Sequence, residues 1–585
     1  MNYKLNMSET ESEKGSLGQG LRKLWALTAG EGRNLFVSLA AILVSSASSL
    51  AAPFIIGYTI DHFIATKDFH GVLVASCVLL AVYIVGGIGS YVQTLTMGGI
   101  GIRILFKLRN SIFNKLQELP IVFFNQNKSG DLISRINNDT QKLNQLFAES
   151  LTRFIGGLFT LTGTGIFLIV LNWRLGIAAL LPALMVTLIV RVISPWVQAR
   201  NLKSLQSLGG MSAEIQESLK NFKAMIAFNR LDYFREKFNE SNTANYRASI
   251  GAGVANNLFG PMFDLSYDLG QLIVLAYGIY LISSGIFTVG LLISFLIYTS
   301  NFYNPLRQFA SVWSSVQLAL AGLQRITDIL NLESDMPIVP SKQTDSPLVL
   351  EFKDVSFHYP DGTDILKNIN LKLEKGKTYA LVGPTGGGKT TTASLMARLY
   401  DPTKGSVFFQ GKDIRAYESA ERAQKIGYLL QEPFLFTGTV RDNIVYGNAA
   451  YLNRTSEELA AILKDEGLAN LLERFEGGLD TEITSGGETI SLGQKQLIAF
   501  IRAVLRSPEL LILDEATANI DTVTEKLLED ILNKLPATTT KVVIAHRLNT
   551  ISDADEIYFV NSGEITSAGS MQHALDLLLH GKRES

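Results

Sequence analysis

The stretch Gly383-Pro-Thr-Gly-Gly-Gly-Lys-Thr390 puts four glycines ahead of an amine and a hydroxyl. TYALV before it reads as a buried strand, and TTASLMARLY after it reads as a helix. Between them, Gly383, Gly386, Gly387 and Gly388 let the backbone curl so that amide N–H groups converge on phosphate oxygens, with a helix N-terminus behind them. Lys389 then reaches the β- and γ-phosphates of a nucleoside triphosphate, and the Thr390 hydroxyl ligates Mg2+. The expected ATP-binding loop comprises Gly383, Pro384, Thr385, Gly386, Gly387, Gly388, Lys389, Thr390 and Thr391. The bare pattern arises by chance; a strand on one side and a helix on the other is the context the chemistry needs.

Two further strands end in polar groups. In LLILDE, Asp514 follows four apolar residues and emerges at the carboxyl end of a buried strand, the edge where open α/β sheets bind ligands. It is expected to hold Mg2+ through water, and Glu515 to orient and deprotonate the attacking water. Acids also cap buried strands for solubility alone; pairing with a phosphate loop favours catalysis. KVVIAHR repeats the design, with His546 placed to contact the γ-phosphate, where a lone histidine after a strand reads as structural.

These strands belong to the second half of a 585-residue chain, too long for one ordinary domain. Mean hydropathy is +0.20, and the apolar residues concentrate in the first half. Six near-uncharged runs there approach the ~20 residues that cross a bilayer: about 35–60, 72–100, 154–172, 175–194, 258–282 and 287–305. Short connections near 61–71, 172–175 and 283–287 alternate with long, charged ones at 101–153 and 195–257. Arg103, Lys107, Arg109, Lys115, Lys220 and Lys223 lie in the long loops, so both termini and both loops are expected in the cytoplasm of a multi-pass inner (plasma) membrane protein. LFKLRNSIFNKLQEL and AEIQESLKNFKAMIAF carry apolar residues at helical spacing, which predicts helices extended out of the bilayer rather than open loops.

Other features narrow the class. Net charge is −2, so no global field argues for nucleic acid as a partner. The single cysteine, Cys77, excludes an intrachain disulfide and sits in an apolar run, as a small packed residue would. Residues 1–20 are polar and expected to be disordered; GLRKLWALTAGEGR, with Trp25, is expected to lie along a membrane surface. In FDLSYDLG, Asp264 and Asp268 share a helix face. Acids at membrane depth serve a cavity that favours cationic cargo or carries a proton, or else they mark a helix–helix contact or a position near the cytoplasmic boundary, and the sequence leaves these open. NLESDMPIVPSKQTDSPL reads as a linker, and LVLEFKDVSFHYP after it as strands.

With these motifs in order, the second half resembles the nucleotide-binding domain of an ATP-binding-cassette (ABC) transporter. The chain, over about 30–575, resembles a bacterial half-transporter of the exporter-fold type. The resemblance implies a two-part membrane protein: an all-α transmembrane domain of six helices, then an α/β P-loop nucleotide-binding domain. Expected boundaries are 1–33 for tail and interfacial helix, 34–330 for the transmembrane domain, 331–348 for the linker and 349–585 for the cassette. By the same resemblance, Tyr359 in SFHYP stacks on adenine, and Gln431 in LLQEPFLF serves catalysis and Mg2+. Ser491, Gly493 and Gln494 of the signature and Asp521 of LILDEATANID contact nucleotide. FFNQNKSGDLISRINNDT and SLKNFKAM resemble the regions that dock on cassettes.

The signature departs from the family's Leu-Ser-Gly-Gly-Gln, reading ISLGQ at 490–494 with Leu492 in a glycine's place. In the family this segment covers the γ-phosphate held by the opposite cassette. A side chain there hinders close approach, which favours a heterodimer with a second half-transporter over a homodimer. The expected cargo is a hydrophobic or amphipathic drug, lipid or peptide, exported. The alternative is an importer built on the exporter fold, for a metal chelate or similar small molecule. Six spans exclude a soluble ABC ATPase, and the position of Cys77 excludes an N-terminal cysteine protease.

Overall fold

The computed structural model describes residues 3–5, 17–360, 362, 364–431, 433–484, 490–514, 522–544 and 554–580. They form two compact units, one of Asn6–Gln117 with Ser129–Asn331, the other of Met1–Leu5, Glu118–Lys128 and Leu332–Ser585.

The first unit is helical. After a short helix, Leu17–Leu27, come Gly32–Thr59, Phe69–Glu118, a helical run from Ser129 to Leu171, Trp173–Lys220, Leu231–Asn257, Phe259–Ser283 and Val289–Leu330. At 1.5 Å rise per residue, the 50 residues of Phe69–Glu118 extend ~75 Å, far more than a bilayer core needs. Five helical stretches among the described residues are long and apolar enough to cross a membrane. The sixth expected span lies on Val289–Leu330, where the run YTSNFYN is more polar.

Connections are set by local capping. The Asn172 side chain accepts the Leu175 N–H and starts Trp173–Lys220 two residues after the preceding helix ends. Asp61 accepts the Gly290 N–H at 2.8 Å and the Thr288 hydroxyl at 2.5 Å, tying the end of Gly32–Ile64 to the start of Val289–Leu330. These helices approach closely there because both contact residues are glycine. A Cβ on Gly290 would lie 2.1 Å from the Gly57 carbonyl oxygen. Leu168, Leu175, Ala179, Val274, Phe295 and Tyr298 form an apolar core between the spans. Cys77, expected to be packed, is exposed on the outer face of Phe69–Glu118, among apolar neighbours such as Leu80 and Ile84. Asp264 pairs with Arg307 of Val289–Leu330 at 3.2 Å, the helix–helix alternative, while Asp268 is exposed.

A charged knot holds the run from Ser129 to Leu171 against Val289–Leu330. Arg135, 1 % exposed in a π-helical turn, donates to Asp131 at 2.9 Å and to the Arg325 carbonyl at 2.9 Å. Fully buried Asp139 pairs with Lys142 and Arg325. Removing Arg135 takes away a buried side chain together with its charge-assisted hydrogen bonds to Asp131 and the Arg325 carbonyl, each worth about 1.5–3 kcal/mol. Arg135→Ala is therefore expected to lower the thermal unfolding midpoint of detergent-solubilised protein by several degrees. An unchanged midpoint would show that the knot adds nothing to stability.

Among its described residues the second unit contains two larger sheets and a two-stranded one, Gly438–Thr439 with Glu482–Ile483. Asp364–Glu374, Leu348–His358, Lys404–Phe409 and Lys412–Asp413 form an antiparallel sheet in that order. The larger sheet runs Glu564–Ser567, Glu556–Asn561, Thr378–Val382, Thr540–Ile544, Leu510–Asp514, Ile426–Leu429, with all but the first strand parallel. Its inner strands Thr378–Val382 and Leu510–Asp514, buried on both faces, are nearly continuous apolar runs. The parallel arrangement brings the carboxyl ends of Thr378–Val382 and Leu510–Asp514 to one edge. A separate apolar cluster holds Ser456–Asp465, Val440–Ile444 and Leu492–Val504 together.

The segment 332–347 has no regular element, as its composition predicts, yet it is fastened along its length. Arg398 donates to the Pro337 carbonyl, Val339 N–H to the Arg415 carbonyl, and Thr344 N–H to the Gly411 carbonyl. The expected disorder of residues 1–20 does not hold for residues 3–5, nor for 17–20, which begin the helix Leu17–Leu27. Tyr3 and Leu5 are buried against Glu118–Lys128.

Candidate functional site

The loop after Thr378–Val382 has the backbone its glycines predict. Gly383, Gly386 and Gly388 have φ of +146°, +82° and +113°, a region side chains disfavour. A Cβ on Gly383 would lie 2.0 Å from the Val560 carbonyl oxygen, and one on Gly387 2.6 Å from it. The helix Lys389–Met396 starts directly at Gly388. Buried Lys389 folds back so that Nζ donates to the carbonyls of Gly383 at 2.9 Å and Pro384 at 3.1 Å, closing the loop into a ring. Pro384 and Thr385 are exposed at its rim. A cradle of glycine amides closed by a lysine fits a phosphate chain.

Asp514, 3 % exposed, ends Leu510–Asp514, two places along the sheet from Thr378–Val382, and its carboxylate accepts the Thr390 hydroxyl at 3.4 Å. The loop and the strand thus bring together two of the three oxygen donors expected to hold Mg2+, Thr390 and Asp514, hard donors that suit that ion. The Tyr428 hydroxyl donates to the other Asp514 oxygen at 3.4 Å. Burial, and then the Asp514 charge, push that hydroxyl far above the usual tyrosine range, so it remains a donor. Sequence reasoning missed Tyr428, although it lies three residues before Gln431 on the strand beside Leu510–Asp514. Gln431 is exposed beyond the end of that strand.

Tyr359 lies against the same helix, its hydroxyl 3.2 Å from that of Thr391. Its ring meets Tyr400 edge-on at 5.4 Å, and the Tyr400 hydroxyl accepts the Asn125 amide from helix Ile121–Gln126. Tyr400 and Asn125 are also absent from the sequence-based set.

Ser491, Leu492, Gly493 and Gln494 open the helix Leu492–Val504, which packs in the other apolar cluster from the phosphate-loop helix. Ser491 Oγ accepts the Gln494 N–H, and Gln494 Oε1 accepts the Ser491 N–H. This capping box fixes the helix start, and the Ser-x-x-Gln spacing is its sequence signal. Leu492 is exposed at that start. Glu515, Asp521 and His546 lie outside the described residues.

Residues 366–518 match the ABC transporter family, and residues 35–306 match the ABC transporter transmembrane region. The chain is similar to an uncharacterized ABC transporter ATP-binding protein, YfiC, of Bacillus subtilis, 34% identical over 94% of this chain and 91% of that protein. The chain belongs to the ABC transporter family. It is also similar to a multidrug resistance ABC transporter ATP-binding and permease protein of Lactococcus lactis subsp. cremoris, 32% identical over 93% of this chain and 91% of that one. An ATP-dependent lipid A-core flippase of Syntrophus aciditrophicus is 29% identical over 95% and 92%. This ABC transporter is therefore a membrane protein of the exporter half-transporter type, with a helical transmembrane region before its nucleotide-binding region, and it couples ATP hydrolysis to transport.

Proposed function

We propose that the chain is one half of a dimeric exporter that moves a hydrophobic or amphipathic drug, lipid or peptide by alternating access. The observation that carries this reading is the glycine cradle closed by Lys389 beside Asp514, in a chain that also supplies long apolar helices. Names of relatives support the cargo class, since they include a multidrug resistance protein, a fatty acid transporter and a lipid A-core flippase.

In this reading residues 34–330 span the inner (plasma) membrane and 349–585 form a cytoplasmic cassette. Amides of the phosphate loop and Lys389 bind the phosphates, Tyr359 stacks on adenine, and Asp521 adds a nucleotide contact. Mg2+, held through Thr390, Asp514 and Gln431, would neutralise charge on the phosphates. Glu515 takes the proton from the attacking water, with His546 steadying the γ-phosphate. Ser491, Gly493 and Gln494 cover the nucleotide held by the partner.

The dimer reading is supported by exposed apolar surfaces. Helix Phe222–Ala227 and its flank expose Phe222, Ile226 and Phe228, while the cassette has a groove of about 240 Å³ lined by Leu430, Phe434, Phe436 and Tyr446. Copies that exchanged these surfaces would place each helix on the other's cassette. Exposed Leu492 supports a heterodimer, because its side chain stands where the partner's phosphate must approach a signature backbone. The purified chain alone is expected to hydrolyse ATP slowly, and Leu492→Gly to raise that rate severalfold. Brisk turnover by the unaltered chain alone would favour a homodimer. ATP-driven accumulation of labelled lipid or dye in inverted membrane vesicles tests direction; loss from preloaded inverted vesicles would contradict export.

A further inference from the structure

The first residues of the chain make contacts out of proportion to their number. The Tyr3 N–H donates to Gln126 Oε1 at 2.7 Å, and the Leu5 N–H to Asn127 Oδ1 at 3.0 Å. The Asn127 amide returns a bond to the Tyr3 carbonyl at 3.0 Å, so one side chain pairs both backbone edges as a neighbouring strand would. The Tyr3 ring stands edge-on to fully buried Phe123 at 6.4 Å. Its hydroxyl accepts the Asp335 N–H at 2.7 Å and donates to the Glu333 carbonyl at 3.1 Å. Ordering each residue costs roughly 1–2 kcal/mol of backbone entropy, and a polar tail stays ordered only where its contacts exceed that. Burial, with Asp335 second, raises the Tyr3 hydroxyl to about 12, so it remains a donor at any physiological pH.

Tyr3 thus joins two pieces of backbone more than 200 positions apart, helix Ile121–Gln126 and the segment 333–335 that leads into the cassette. From the same helix, Asn125 reaches Tyr400, which packs on Tyr359, the residue assigned to adenine. The helix is therefore fastened on one side to the nucleotide site and on the other by the N-terminal tripeptide.

We propose that residues 3–5 are a clip that locks helix Ile121–Gln126 to the cassette, with Tyr3 and Asn127 as positioning residues for passing nucleotide-driven motion to the spans. What the clip transmits rests on the transporter reading above; the clip itself does not. Without it, ATP still binds and is cleaved, but the helix slips when the cassette moves.

Hydrogen exchange on the full-length protein in lipid nanodiscs, in a Glu515→Gln background that holds ATP, tests this. Without nucleotide, Tyr3→Ala and removal of residues 2–5 are expected to speed exchange in 121–127 at least about fivefold, leaving Thr378–Val382 and Leu510–Asp514 unchanged. Tyr3→Phe, which keeps the ring and loses the hydroxyl, should loosen 333–335 more than 121–127. The peptide MNYKLN added in trans should restore protection to the shortened protein, and the same peptide with Tyr3→Ala should not. With Mg·ATP, the clipped protein is expected to change exchange at the outer segment 284–288, whereas the shortened protein responds only around the phosphate loop. An equal response at 284–288 with and without the clip overturns the proposal, as does unchanged exchange at 121–127 in both Tyr3→Ala and the shortened protein. No response at 284–288 in the clipped protein would instead remove the transporter reading and leave the clip to be judged on 121–127.

Discussion

Glu515→Gln is expected to cut ATP turnover about 10²–10³-fold while ATP continues to bind. The amide keeps the size of the carboxylate and can still orient water, but it cannot accept the proton that leaves as the water attacks. General-base catalysis of this kind contributes roughly 10²–10⁴-fold, so its loss exceeds that of any single binding contact. Phosphate release by the purified transporter, measured alongside equilibrium binding of ATP, separates the two effects. Near-normal turnover would remove Glu515 as the base. Weak binding with weak turnover would place it in the phosphate cradle instead.

Lys389→Ala is expected to weaken binding and hydrolysis together. The lysine is buried, and its Nζ closes the loop through the carbonyls of Gly383 and Pro384. Its removal takes away the charge proposed to bind the phosphates and the clasp on a loop with three left-handed glycines. Charge-assisted hydrogen bonds contribute about 1.5–3 kcal/mol each, so ATP affinity should fall about 10- to 100-fold. Lys389→Arg should not restore it, because a planar guanidinium does not fit the space of a single ammonium. Full affinity in Lys389→Ala would mean that the amides alone hold the phosphates.

The phosphate loop was legible because its constraint is local. Glycines at 383, 386 and 388 declare a left-handed backbone without reference to anything distant. Asp514 was legible for a similar reason, as the acid ending an apolar strand. Tyr428 was not, because its importance comes from lying one strand away from Asp514, an adjacency that only the sheet order supplies. The pair Asp264–Arg307 spans 43 positions, so the sequence could pose the choice between cavity and helix contact without resolving it. Tyr3 is the extreme case. A polar segment has no periodicity to betray a buried residue, and its partners lie 123 and 330 positions away. Five of the six expected spans were legible as apolar runs, but the charged knot at Arg135 and Asp139 was not. Buried charges look like solvated ones until their partners are in view.

In the proposed cycle, ATP held between two cassettes reopens the membrane chamber on its outer side. Lys67 and Ser284, both exposed, lie in the connections of the first two and last two expected spans, which the proposed orientation puts outside. Spin labels at these two positions, in a Cys77→Ser and Glu515→Gln background reconstituted in lipid, report the spacing of the outer ends by pulsed electron resonance. The account predicts that Mg·ATP shifts the distance distribution to longer values, as the outer ends part. A distribution identical with and without Mg·ATP, in protein shown to have bound the nucleotide, would contradict it.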